Sequence, residues 1–198
     1  MRSLTLPEEL VRKGTFRTRD AEAAGISRPT LRRYAEMGLV VQDARGIYQI
    51  ADAEPNPYFQ IGVLAMRGVS FVVSLLSALH LHGLTTQLPS SLWITVKQGR
   101  HCPIGTGLNT ICSYQGEPAY STGVEEQDLD GIRVNVYSPA KTVVDCFKFR
   151  SKIGLDVAME ALRDGWRKHA FTIPELDRIA DICRMRTVIR PYVEGMLS

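Results

Sequence analysis

Long hydrophobic runs are missing from this 198-residue sequence. The most apolar window, Val69 to Leu79, is interrupted by Ser70, Ser74 and Ser77. It falls far short of the roughly 20 residues a bilayer helix needs, so no membrane partner is expected. The opening stretch MRSLTLPEELVRKG carries charges where an export signal needs apolar residues, which points to a cytoplasmic chain. Cysteine is scarce: the four, at 102, 112, 146 and 183, include no close pair and no CxxC. At that spacing they read as free thiols rather than a disulfide framework. Internal repeats and low-complexity segments are absent as well. With 44% hydrophobic and 23% charged residues, the balance excludes global disorder.

Catalytic signatures are also lacking. His80 and His82 form H-x-H on an expected helix, where positions i and i+2 point about 200° apart and cannot share one metal. His101, Cys102 and Cys112 have no fourth ligand at metal spacing nearby. The glycine-containing loop from Gly99 to Gly107 has neither the GxxxxGK[ST] nor the GxGxxG spacing, and reads as a hairpin connection. Glu125, Glu126, Asp128 and Asp130 read as a solvated acidic loop before a turn. Asp145 and Asp156 lie on helices whose apolar faces account for the surrounding pattern. No serine sits in GxSxG, and no Cys/His pair has a recognised signature. No catalytic residue, metal or cofactor is therefore expected. The rival reading is a nuclease-like domain using the acids of 125–130.

What is present is an uneven charge distribution. Residues 1–50 carry net +3, residues 51–140 net −3 and residues 141–198 net +3. The densest basic cluster holds Arg12, Lys13, Arg17, Arg19, Arg28, Arg32 and Arg33 against only Asp20 and Glu22. Such a cluster is an electrostatic footprint for phosphate. Local signals then divide the same stretch into elements. Pro7 opens a short helix to Lys13. Thr18 is expected to cap a second helix, Arg19 to Ala24, stopped by Gly25. Ser27 caps a third, running to about Met37 with Pro29 in its first turn. Two short helices joined by a tight glycine-containing turn make a helix-turn-helix.

In the third helix Leu31, Tyr34 and Ala35 share the inward face. Arg28, Pro29, Arg32, Arg33 and Glu36 are left outward, as in a helix that enters the major groove. Arg28 and Arg32, one turn apart, are placed to pair with guanine edges, and Arg33 to meet a phosphate. Ser27 and Thr30 add hydroxyl or backbone contacts at the first turn. Leu39–Gln42 and Ile47–Ile50 flank the turn 43–46, a hairpin with Tyr48 and Ile50 inward and Arg45 at its tip. Helix, helix-turn-helix and wing in this order predict a unit that binds double-stranded DNA. The alternative is a winged helix that binds protein.

Residues 51–57, ADAEPNP, read as a linker, leaving 58–198 for a larger mixed domain. There the pattern predicts helices over Tyr58–Arg67 and after Ser74. Strands are expected at Ser91–Lys97, Thr110–Tyr114, Ala119–Gly123 and from Ile132 to Val136. Four helices follow: from Ser138-Pro139 to Phe149, Leu155–His169, from the capping box Thr172–Glu175 to Met185, and Val188–Leu197. Strands followed by helices indicate an α+β fold.

Three stretches together resemble the AbiEi antitoxins of bacterial type IV toxin–antitoxin systems. They are FRTRDAEAAGISRPTLRRYAEMGLVVQDARGIYQI, VVSLLSALHLHGLT and GIRVNVYSPAKTVVDCFKFRSKIGLDVAMEALR. The resemblance spans roughly residues 5 to 170. It implies a repressor that binds inverted repeats in its own promoter and neutralises a nucleotidyltransferase-like toxin of the AbiEii type. Carried onto this sequence, DNA contact falls on Arg28–Arg33 and Arg45, and the family supplies no catalytic residues.

Overall fold

Phe16 and Tyr48 stack with ring centroids 6.1 Å apart, although 31 residues of helix and strand separate them in the chain. The computed structural model that shows this describes residues 6–44, 46–52, 59–103, 109–129 and 132–197. The chain divides into two compact units: residues 1–69 with 128–133, and residues 70–127 with 134–198. The α4 helix, Phe59–Met66, which follows the expected linker, is grouped with the first.

The first unit contains α1 (Glu8–Lys13), β1 (Thr15–Arg17), α2 (Thr18–Ala23), α3 (Arg28–Glu36), β2 (Val40–Ala44) and β3 (Ile47–Ile50). The strands form a three-stranded sheet of order β1-β3-β2. β1 pairs antiparallel with β3, Phe16 opposite Tyr48, and β2 closes the hairpin from the other side. Around this sheet Leu10, Phe16, Ala21, Ile26, Leu31, Tyr34, Val40 and Ile50 form a single apolar core. The α2–α3 turn is tight because Gly25 adopts φ +81°, a left-handed conformation open to glycine at no steric cost. Ile26 then drops into the core, its N–H bonded to the Ala21 carbonyl at 2.8 Å.

Two local expectations are corrected here. Thr18 is the first residue of α2 rather than its cap. The capping position is Arg17, whose backbone N–H donates to Asp20 Oδ2 at 2.8 Å. In β3 the buried residues are Ile47 and Ile50, while Tyr48 is half-buried. The strand is paired on both edges, so simple alternation does not set its burial.

The second unit holds most of a five-stranded mixed sheet of order β6-β5-β4-β8-β7, the last two residues of β7 and the first two of β8 being grouped with the first unit. Its strands are β4 (Val72–Val73), β5 (Leu92–Lys97), β6 (Thr110–Gln115), β7 (Val124–Leu129) and β8 (Ile132–Tyr137). β5 and β6 run parallel, and β4 joins β5 antiparallel and β8 parallel. Helices α5 (Leu75–Leu81), α6 (Pro139–Lys148), α7 (Arg150–Ile153), α8 (Leu155–Arg167), α9 (Ile173–Ile182) and α10 (Arg186–Leu197) supply most of the core. Ser138 caps α6 by accepting the Lys141 N–H, and Thr172 caps α9 by accepting that of Glu175, both at 3.3 Å. The architecture is α+β, with the helices concentrated toward the C-terminus.

A strand expected at 119–123 is a turn instead. The Ser121 hydroxyl donates to Glu117 Oε2 at 2.6 Å and that of Thr122 to the Pro118 carbonyl at 2.8 Å. These local bonds compete with strand pairing. The acidic run beyond them, read as a loop, forms β7 at the sheet edge, where Glu125 and Glu126 stay exposed. The thiols also depart from expectation. Cys102 and Cys112 form a disulfide, with Cα atoms 6.1 Å apart, while Cys146 and Cys183 are free and buried. The chain from the end of β5 returns to β6 beside it, so residues ten apart meet within bridging range. Spacing alone did not reveal that return.

One polar cluster lies wholly inside this unit. Lys141 and Asp145, one turn apart on α6, are both completely buried, with Nζ 2.5 Å from Oδ2. Gln115 of β6 donates from Nε2 to the same carboxylate oxygen at 2.8 Å, and its Oε1 accepts from Lys141 and Lys148, each at 3.3 Å. The Tyr137 ring lies beneath the ammonium, 4.0 Å from centroid to Nζ. Asp145 Oδ1 has no partner among the described residues.

Candidate nucleic-acid interface

Ser27 accepts the Thr30 backbone N–H at 3.3 Å, and the two hydroxyls lie 2.8 Å apart. This cap starts α3 in a fixed orientation, with Pro29 in the first turn where its missing N–H is harmless. Leu31 and Tyr34 are buried and Ala35 packs against the core, as the periodicity requires. Arg28, Pro29, Arg32, Arg33 and Glu36 are all exposed on the opposite side.

The arginines are not equivalent. Arg28 Nε donates to Glu22 Oε1 at 2.7 Å, crossing from α3 back to α2. Arg32 Nε donates to Glu36 Oε1 at 3.2 Å along the helix. With side chains 76% and 84% exposed, both arginines hold their acids only loosely in water. Arg33 has no ion pair among the described residues. At each of these two outward positions, then, a carboxylate already occupies the guanidinium.

Arg19 is exposed on α2. Arg17 is half-buried, and its guanidinium donates from Nη2 to the Ala65 carbonyl of α4 at 3.1 Å. Its Nε is buried without a partner among the described residues. Burial lowers its pKa from the ordinary arginine value, and the nearby Arg19 charge lowers it further against the pull of Asp20. The Arg45 position lies outside the described residues. At the wing root, Gly46 offers its carbonyl to the Thr18 N–H at 2.9 Å and, more weakly, to the Thr18 hydroxyl at 3.4 Å. The hairpin is thereby tied to the start of α2.

A residue that sequence reasoning missed joins this surface. Arg67, just past α4, lines one open groove with Arg17, Arg19, Arg28, Gly46 and Met66. It stands 34 residues beyond Arg33, past the expected linker, and no local pattern linked it to the helix-turn-helix.

A capped helix with an outward arginine face, held by a second helix and followed by a hairpin, is the frame of a winged helix. Residues 5–51 match the family model of AbiEi antitoxin transcriptional regulators. The matched segment coincides with the elements from α1 to β3. No curated protein matches the chain. Among solved structures, the crystal structure of the RV2827C protein from Mycobacterium tuberculosis is similar, with a TM-score of 0.62 and 16% identity. The match covers 88% of this chain and 69% of that one. At such identity the likeness concerns the fold, and it extends well beyond residues 5–51.

Other candidate chemistry is not assembled. His82 Nε2 lies 2.7 Å from the Tyr137 carbonyl, a structural bond that ties the end of α5 to β8. Among the described residues no group of three His, Cys, Asp or Glu side chains is placed to hold a metal ion. No described helix is long and apolar enough to cross a membrane.

Proposed function

We propose that the chain is a DNA-binding transcriptional repressor, the antitoxin of a type IV toxin–antitoxin operon. It represses its own promoter through inverted repeats and neutralises a nucleotidyltransferase-like toxin. The AbiEi match over residues 5–51 carries this reading, supported by the solvent-facing arginines of α3. α3 enters the major groove, Arg28 and Arg32 exchange Glu22 and Glu36 for guanine edges, and Arg33 takes a phosphate. Ser27, Thr30, Arg19 and the wing's Arg45 flank that contact. The chain works on DNA in the cytoplasm and performs no chemistry of its own. That compartment is reducing, so the adjacent Cys102 and Cys112 are held there mainly as two thiols.

The test is binding of the full chain to a labelled duplex from its own upstream region and to a scrambled duplex. Arg28→Ala or Arg32→Ala should cost about 1–3 kcal/mol on the upstream duplex and narrow the preference over the scrambled one. Arg33→Ala should weaken both duplexes alike. Wild-type affinity on the upstream duplex after Arg32→Ala would refute the orientation assigned to α3. Rescue of cells from the toxin by a chain carrying all three substitutions would place neutralisation elsewhere on the molecule, as this reading requires.

A further inference from the structure

The groove beside the recognition helix gathers more positive charge than the helix alone. Arg17, Arg19, Arg28 and Arg67 converge on it against the single carboxylate of Glu22, and Gly46 at the wing root is part of its wall. Arg28 holds Glu22 in the free protein. Once Arg28 turns to a base, Arg17, Arg19 and Arg67 still outnumber that carboxylate, and neither Arg19 nor Arg67 has an ion pair among the described residues. Like charges gathered around an open depression repel one another until an anion enters. Two bonds fix the site's shape. Thr18 ties the wing root to α2, and Arg17 ties β1 to the last turn of α4 through the Ala65 carbonyl. Ala65 is two residues before Arg67, so the Arg17 bond sets where the Arg67 guanidinium emerges.

We infer that this groove is a second contact site for DNA, receiving one backbone phosphate between Arg19 and Arg67 beside the entry of α3. Arg67 is its new binding residue, and Arg17 is a positioning residue rather than a direct contact. The inference rests on the DNA-binding reading above. A phosphodiester suits the site: it carries one negative charge, accepts fork-like hydrogen bonds from guanidinium groups, and lies on the strand bordering any groove a helix enters. Because it contacts no base, the site contributes affinity without sequence preference.

The experiment measures affinity of the full chain against salt concentration, on its own upstream duplex and on a scrambled duplex of equal length. Losing one phosphate contact lowers the slope of log K against log salt by about 0.9, about an eight-fold weakening at 0.1 M salt. Arg67→Gln should show this loss equally on both duplexes, and Arg67→Lys should retain the slope. Arg67 is exposed, so the fold tolerates either change. Arg17→Gln should lower the slope in the wild type and lower it no further when combined with Arg67→Gln. An unchanged slope in Arg67→Gln, with wild type still binding, overturns the inference and leaves the DNA reading standing. A loss confined to the upstream duplex overturns it too, since that marks a base contact. Failure of the wild type to bind either duplex at 50 mM salt overturns both readings.

Discussion

Changing Asp145 to Leu keeps the number of side-chain heavy atoms and removes both its charge and its hydrogen-bond acceptors. The Lys141 ammonium is then left fully buried with only Gln115 Oε1 at 3.3 Å and the Tyr137 ring as company. Breaking one side of a buried ion pair costs about 3–5 kcal/mol, because the surviving charge keeps its desolvation penalty. For a unit of about 120 residues, 1 kcal/mol moves the midpoint by roughly 4 °C. Thermal unfolding of the second unit should therefore begin about 12–20 °C lower. Lys141→Met alone should cost a similar amount by stranding the carboxylate, whose Oδ1 already lacks a partner. The double substitution Lys141→Met with Asp145→Leu removes both charges, and the remaining loss is the Gln115 Nε2–H left without its acceptor, about 1–3 kcal/mol. The four proteins, unfolded in urea and followed by circular dichroism, form a double-mutant cycle. A coupling energy of about 2 kcal/mol or more is expected. Strictly additive costs would refute the argument, since they mean that each side chain acts alone.

Glu36→Gln and Glu22→Gln should each raise DNA affinity about two- to five-fold in fluorescence anisotropy. They release Arg32 and Arg28 from exposed pairs worth about 0.2–1 kcal/mol and remove a charge that DNA repels. Weaker binding would show that these acids hold the arginines in a productive pose. Gly165→Ala should destabilise the second unit, seen as a lower urea midpoint. A Cβ there lies 2.2 Å from Cε1 of the buried Phe171 ring, and the overpacking, about 1–3 kcal/mol, outweighs the roughly 1 kcal/mol helix-propensity gain. An unchanged or higher midpoint would mean that the ring turns aside freely.

What the sequence disclosed follows the range of each interaction. The starts of α3, α6 and α9 were legible because Ser27, Ser138 and Thr172 act on N–H groups three residues away. The outward face of α3 was legible because Leu31 and Tyr34 set its phase. β1 and β4 were not, because three- and two-residue strands carry no period and exist through distant partners, as Thr15 does through Gln49. The same limit hid Arg67 and the Cys102–Cys112 bridge. The i, i+4 spacing of Lys141 and Asp145 was visible, but spacing is the same for an exposed pair and a buried one. Only the packing of β6 and Tyr137 around them decides which it is.

The five-stranded sheet ends in two unlike borders, and the difference bears on how molecules behave when crowded. Along β7, Glu125 and Glu126 face solvent within a six-residue strand. A second copy laid edge to edge there would bring carboxylates against carboxylates. Along β6, from Thr110 to Gln115, the sequence TICSYQ carries no charge at all and exposes the Tyr114 ring. Charge is a common guard against unwanted strand addition, and here it protects one border only. When the protein is concentrated or partly unfolded, self-association should start from the β6 side. A single lysine in place of Tyr114 is the least intrusive way to keep such a preparation monodisperse.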